Sequence, residues 1–208
     1  MKFVIPALAL WLASAPAVFA ASPAQDASLF QASYDQEAMG RTQEALATLD
    51  QLSPDKNASY VALLRRGWLQ HRLGKNADAI GAYTKAIALA PKAIEPRLGI
   101  LLPLLAEKQW PAAEKQARDI LKLDAENYLA TLRLAFALYS GGKFGEARTL
   151  YQKLVDGYPG DMEARAGLGW ALLKLGKTKD AMAVFKTVLD FSPKNVLAQQ
   201  GLAALAAK

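Results

Sequence analysis

Cysteine is missing altogether from this chain of 208 residues, and histidine occurs once. Without a thiol the protein can form neither a disulfide nor a Cys–His catalytic pair. A single histidine, with no nucleophile-elbow sequence, gives little support to a serine triad. No metal-ligand spacing and no phosphate-binding glycine loop occurs either. We therefore expect no enzyme activity, no metal and no cofactor, although two carboxylates brought together by the fold would still permit glycoside chemistry.

Long apolar runs are also scarce, and the one that stands out is at the amino terminus. Lys2 precedes apolar residues 3–12, and residues 18–20 (Val-Phe-Ala) provide the small or medium side chains of a cleavage site. We predict a signal peptide over residues 1–20, followed by a short segment, 21–25, and a periplasmic mature protein. An uncleaved membrane anchor is the alternative, although the run is short for a span of roughly 20 residues.

Neither sign of charge dominates the sequence. Lysine and arginine number 25, aspartate and glutamate 19, and the formal net charge is +6. This modest positive charge can simply keep the protein soluble, or it can favour an acidic protein face, a phospholipid surface or an anionic polysaccharide. Nucleic acid is not an expected partner of an exported chain.

What the chain does contain is a repeat with a period of 34 residues. Small residues, turn glycines and prolines recur in one frame. They are Ala45, Ala79, Ala113, Ala147 and Ala181, then Gly40, Gly74, Gly142 and Gly176, then Pro91, Pro159 and Pro193. Alanine lets two helices cross closely, glycine closes a turn that needs a positive φ, and proline ends a helix. Each unit is therefore predicted to be two helices joined by a tight turn.

This frame resembles the tetratricopeptide repeat, whose unit is a helix, a tight turn and a second helix. The resemblance implies an all-α fold, a right-handed α-solenoid of about five repeats. The predicted repeats span residues 26–59, 60–93, 94–127, 128–161 and 162–195, and residues 196–208 form a C-terminal capping helix.

Two repeats depart from the pattern. In the first, Ser53-Pro54 stops the second helix early, which makes it the weakest match. In the third, Lys108 replaces the turn glycine, and Pro103 lies inside the first helix. Because Gly99 precedes Pro103 by four residues and adds no side chain to the crowding, we expect this helix to survive with a kink.

Every first helix carries a large apolar residue at one position: Tyr34, Trp68, Leu102, Phe136 and Trp170. At about 100° per residue, this position faces away from the seam with the second helix. Residues three or four positions away share that face, among them Leu64, His71, Leu105, Leu132 and Tyr139. Basic residues lie along its margin, namely Arg65, Arg72, Arg133 and Lys174. The family resemblance implies that this face lines a concave groove that holds peptides or partner segments.

The predicted binding residues are Tyr34, Leu64, Arg65, Trp68, His71, Arg72, Leu102, Arg133, Phe136, Tyr139, Trp170 and Lys174. We interpret them as a groove for a protein or peptide, such as an apolar or amphipathic helix, whose acidic flank or terminal carboxylate would suit the arginines. The leading hypothesis is an exported scaffold or assembly factor of a cell-envelope complex, with membrane proteins among its candidate partners. Ordinary packing between repeats would explain the same stripe. Self-association, and an accessory role in polysaccharide synthesis or export, are the alternatives.

Overall fold

The computed structural model describes residues 22–207, and within that range the chain is an all-α solenoid, as predicted. The predicted signal peptide, residues 1–20, lies outside the described residues. The helices are α1 (Pro23–Ala38), α2 (Thr42–Thr48), α3 (Pro54–Asn57), α4 (Tyr60–Arg72), α5 (Asn76–Leu89), α6 (Glu95–Ala106), α7 (Trp110–Leu123), α8 (Tyr128–Ser140), α9 (Phe144–Gly157), α10 (Met162–Lys174), α11 (Thr178–Phe191) and α12 (Val196–Ala206). None of the helices described combines the length and apolar character that crossing a bilayer needs.

The helices pack as consecutive pairs. α1 packs on α2, α4 on α5, α6 on α7, α8 on α9, and α10 on α11. First helices of neighbouring pairs also contact each other, α4 with α6, α6 with α8, and α8 with α10. α12 packs on both α10 and α11, so it covers the end of the last pair. The first helices therefore form one continuous face, and that face carries the candidate site.

Side-chain caps and left-handed turn residues fix the ends of the first helices. Ser59, Asn127, Asp161 and Asn195 each accept a hydrogen bond from the backbone N–H three residues ahead. This satisfies one of the N–H groups that a helix start leaves without a partner. The turn glycines Gly40, Gly74, Gly142 and Gly176 have φ between 73° and 82°. Lys108 adopts φ 56° in the third repeat, so the turn is kept even without glycine.

Two second helices, α5 and α11, each insert an aromatic ring between two helices that carry glycine. The Phe185 ring lies so close to Gly169 of its own repeat, and to Gly201 of α12, that a Cβ at either position would come within 3.0 Å of it. Tyr83 packs in the same way against Gly67 and Gly99. Because these glycines leave room for a ring, consecutive repeats approach closely around a large apolar side chain.

The two irregular repeats keep their helices. α6 runs without interruption through Pro103, which is fully buried inside it. In the first repeat, α2 ends at Thr48 and a 3-10 turn, Leu49–Gln51, follows. Asp26 then accepts hydrogen bonds from the Ser53 N–H, at 2.8 Å, and from the Ser53 hydroxyl, at 2.6 Å. These bonds lower the pKa of Asp26 and fasten the start of α1 to the end of its repeat.

Candidate functional site

A cavity of about 500 Å³ opens on the face formed by the first helices α6, α8 and α10 and the capping helix α12. Its lining is mostly apolar, and one residue, Tyr151, comes from the second helix α9. The lining residues are Leu102, Leu105, Leu129, Leu132, Arg133, Phe136, Tyr139, Tyr151, Glu163, Gly167, Trp170 and Leu197. Ligand sites in proteins commonly enclose roughly 300–1,000 Å³. Three consecutive first helices and the capping helix thus build one site of ligand size.

Five of the residues predicted from the sequence meet in this cavity: Leu102, Arg133, Phe136, Tyr139 and Trp170. They come from three repeats, and the 34-residue step between Leu102, Phe136 and Trp170 places them side by side on neighbouring helices. The carboxyl-terminal half of the predicted stripe is therefore a single surface.

The other predicted residues do not line the cavity. Leu64 packs against the main core, and Lys174 is exposed at the end of α10. His71 Nδ1 lies 2.8 Å from Asn76 Oδ1. Arg72 stands over the Trp68 ring, 5.7 Å from its centroid. Trp68 itself donates through Nε1 to a carboxylate oxygen of Glu37, so these side chains already have intramolecular contacts.

Arg65 is the clearest case of a predicted ligand contact that is used inside the fold. It is only 6% exposed. Its Nε donates to the Ser33 hydroxyl at 2.8 Å, Nη2 to the Ser33 carbonyl at 2.6 Å, and Nη1 to Glu37 at 2.9 Å. The guanidinium also stacks over the Tyr34 ring, 3.7 Å from the centroid. Arg65 and Tyr34 therefore join the first repeat to the second, and all three guanidinium nitrogens already donate within the fold.

Aromatic contacts set the orientation of Phe136 and Trp170 in the cavity. Phe136 meets Trp110 edge to face at 6.2 Å, and 45% of it stays exposed. Trp170 meets Phe185 at 5.7 Å, and its Nε1 donates to the Leu197 carbonyl at 3.0 Å. Trp170 is thus a fixed wall that ties α10 to α12, whereas Phe136 presents free apolar surface.

Among the residues that the structure describes, the cavity lining contains one guanidinium, from Arg133, and one carboxylate, from Glu163. Arg133 is partly buried, and its one hydrogen bond among the described residues runs from Nη1 to the Leu98 carbonyl at 3.4 Å. Burial lowers the pKa of Arg133, and the nearby charge of Glu163 partly opposes that shift. Burial also raises the pKa of both Tyr139 and Tyr151, so their hydroxyls stay neutral near pH 7. The site can therefore recognise an apolar group that carries a charge.

Several lining residues were not among the predicted set. Leu129, Glu163 and Leu197 occupy the second position of their repeats, three residues before positions already assigned to this face. Since a spacing of three keeps residues on one side of a helix, extending the stripe by one turn would have found them. Tyr151 and Gly167 could not have been found from this spacing. They line the cavity because Gly167 leaves space for the Tyr151 ring, a contact made between repeats.

Solved structures with this architecture are similar to the chain over most of its length. A tetratricopeptide repeat protein from Parabacteroides merdae superposes with a TM-score of 0.77 at 19% identity, covering 86% of this chain and 72% of that one. MamA from Desulfovibrio magneticus gives 0.76 at 19% identity, covering 82% and 97%. YrrB, described as a TPR protein with an unusual peptide-binding site, gives 0.71 at 15% identity, covering 84% and 90%. At these identities the likeness shows the fold alone.

Sequence comparisons point to the same family. A stretch of 94 residues, 45% of this chain, is 32% identical to the CTR9 homolog of Arabidopsis thaliana. The stretch covers only 9% of that much longer protein. The family model for the tetratricopeptide repeat matches residues 30–94, 104–162 and 132–196, which is most of the chain. The chain therefore belongs to the tetratricopeptide repeat family.

Proposed function

We propose that this protein is an exported scaffold of the cell envelope that binds a segment of a partner protein in the cavity of α6, α8, α10 and α12. The tetratricopeptide fold supports a role in protein–protein interaction. One observation carries the proposal: large apolar side chains remain partly exposed around a single cavity. Leu129 is 42%, Phe136 45% and Leu197 46% exposed.

A partner segment would remove this apolar surface from water. Burial of apolar surface contributes roughly 25 cal/mol per Å², and contiguous exposed apolar patches commonly mark interaction sites. A helix that presents one or two large apolar side chains would fill the cavity. The peptide-binding site in the description of YrrB adds a precedent for this mode of recognition within the fold.

The location in the envelope rests on residues 1–20, which have the charge and apolar pattern of a signal peptide. Export would bring the cavity to partners in or near the membrane. Fractionation of cells that produce the full chain tests this part: a shortened protein released with the periplasmic contents supports export, and a full-length protein in the cytoplasm contradicts it.

Removing the exposed part of the cavity wall is expected to abolish partner capture. The double variant Leu129→Ala/Phe136→Ala truncates two side chains on one face of α8. Alanine favours the helix, so far-ultraviolet circular dichroism should not change. We expect the proteins that the immobilised wild-type chain captures from an envelope extract to fall by at least about tenfold, since each lost anchor commonly costs over about 1 kcal/mol.

The matched control is Leu89→Ala/Phe191→Ala, because Leu89 and Phe191 are also largely exposed but lie outside the cavity. This variant should capture the same proteins as the wild type. If both double variants behave alike, the cavity is not the binding site.

A further inference from the structure

Two first helices carry an arginine at the same repeat position. Arg65 and Arg133 are separated by two steps of 34 residues. The surroundings of Arg65 therefore show what a guanidinium at this position can contact on the preceding first helix. Its partners are the Glu37 carboxylate, the Ser33 hydroxyl and carbonyl, and the Tyr34 ring.

Arg133 lacks all three side-chain partners. The residues that correspond to Ser33, Tyr34 and Glu37 two repeats later are Leu101, Leu102 and Leu105. Among the described residues no carboxylate lies within 4.0 Å of Arg133, and its one hydrogen bond, to the Leu98 carbonyl, is long at 3.4 Å. Leu102 and Leu105 line the cavity beside it. The repeat position that Glu37 occupies beside Arg65 is therefore occupied beside Arg133 by Leu105, in the lining of the cavity.

A carboxylate partner stabilises a partly buried guanidinium, because charge-assisted hydrogen bonds are shorter and stronger than neutral ones. Arginine often binds a carboxylate in a bidentate manner, through two parallel hydrogen bonds. We propose that the partner segment presents an aspartate or glutamate side chain to Arg133, next to a large apolar side chain that packs against Phe136 and Leu105. The ligand carboxylate takes the place that Glu37 takes beside Arg65. This inference rests on the proposed function, since it specifies the chemistry of the same partner segment.

Glu163 is the one acidic residue in the cavity lining, and it limits where the ligand carboxylate can bind. It belongs to the first turn of α10, and its side chain is exposed. Leu102 and Leu105 lie on α6. A ligand carboxylate is therefore expected on the α6 side of Arg133, away from Glu163. Glu163→Gln should strengthen binding of an acidic segment, because it removes a like charge.

A displayed library of random peptides, selected on the wild-type chain, tests the inference. We expect the selected peptides to share an acidic residue near a large apolar one. Arg133→Gln should weaken them by about 10- to 100-fold, the equivalent of the roughly 1.5–3 kcal/mol typical of a hydrogen bond to a charged group. Leu105→Glu should weaken them more than Leu105→Gln does, because both variants remove the Leu105 contact but only glutamate supplies an internal carboxylate like that of Glu37. Arg148→Gln makes the same change on the second helix α9, outside the cavity lining, and is the control that should leave binding unchanged.

These variants distinguish a failure of the carboxylate contact at Arg133 from a failure of the proposed function. Peptides that lose binding on Leu129→Ala/Phe136→Ala but bind Arg133→Gln as well as the wild type would overturn the carboxylate contact and leave the proposed function intact. A selection that yields no peptide sensitive to the double variant would contradict the proposed function itself. Loss of binding in Arg133→Gln with an unaltered circular dichroism spectrum, together with a greater loss in Leu105→Glu than in Leu105→Gln, would support the inference.

Discussion

Replacing Phe185 with alanine is expected to lower the free energy of unfolding by about 3–5 kcal/mol, the usual cost of deleting a fully buried phenylalanine ring. The ring has no exposed surface and fills the space between Gly169 of α10 and Gly201 of α12. It also supports Trp170, whose ring it meets at 5.7 Å. Because glycine has no side chain to move into the gap, the cavity left by the variant cannot close easily. Urea denaturation followed by circular dichroism would measure the loss.

Phe191→Ala is the matched control for this variant. Phe191 lies at the end of the same helix and is 75% exposed, so its removal should change stability by less than about 0.5 kcal/mol. Equal effects of the two substitutions would show that Phe185 does not hold the last repeat to α12.

Arg65→Met is expected to destabilise the junction of the first two repeats by about 3 kcal/mol. Methionine keeps the apolar stem and removes the guanidinium, so Glu37 Oε2 and the Ser33 carbonyl lose the hydrogen bonds from Arg65, while Glu37 Oε1 still accepts from Trp68. Breaking a buried ion pair commonly costs about 3–5 kcal/mol, and Glu37 keeps 20% of its side chain exposed, which favours the lower end. Faster hydrogen exchange should appear in α1 and α2 before it appears in the later repeats.

The exposed ion pair between Arg41 and Glu44 provides the comparison. Both side chains are about half exposed, at 47% and 56%, and surface pairs contribute roughly 0–1 kcal/mol. Arg41→Met should therefore hardly change stability or exchange. If Arg65→Met changed stability and exchange as little as Arg41→Met, Arg65 would not be holding the first repeat to the second.

The fold could be predicted because its determinants are local and periodic. A glycine with positive φ, a small residue at a helix crossing and a proline after a helix each act over a few residues. Repetition every 34 residues then makes them visible in the sequence. Lys108 shows the limit of this reasoning, since the backbone there follows the repeat although the residue does not.

The site could be predicted only in part, because the stripe does not show which members find partners in the fold. Arg65 and Arg133 look alike in the sequence, and their difference depends on side chains of the preceding first helix, such as Glu37 and Leu105. The 34-residue register could have shown that contrast once the packing of first helices was known. Trp170 likewise fits the stripe, but its hydrogen bond to Leu197 makes it part of the wall.

Crosslinking from position 136 tests whether the cavity holds a segment of a partner protein. A photoreactive residue in place of Phe136, in cells that produce the full chain, would sit on the exposed wall of the cavity. Equivalent probes at Tyr34 and Phe191 sit on exposed side chains outside the cavity lining. We expect one partner protein to be attached from position 136 and not from positions 34 or 191. Attachment of that partner with equal yield from all three positions, or from position 34 or 191 alone, would show that the cavity is not the binding site.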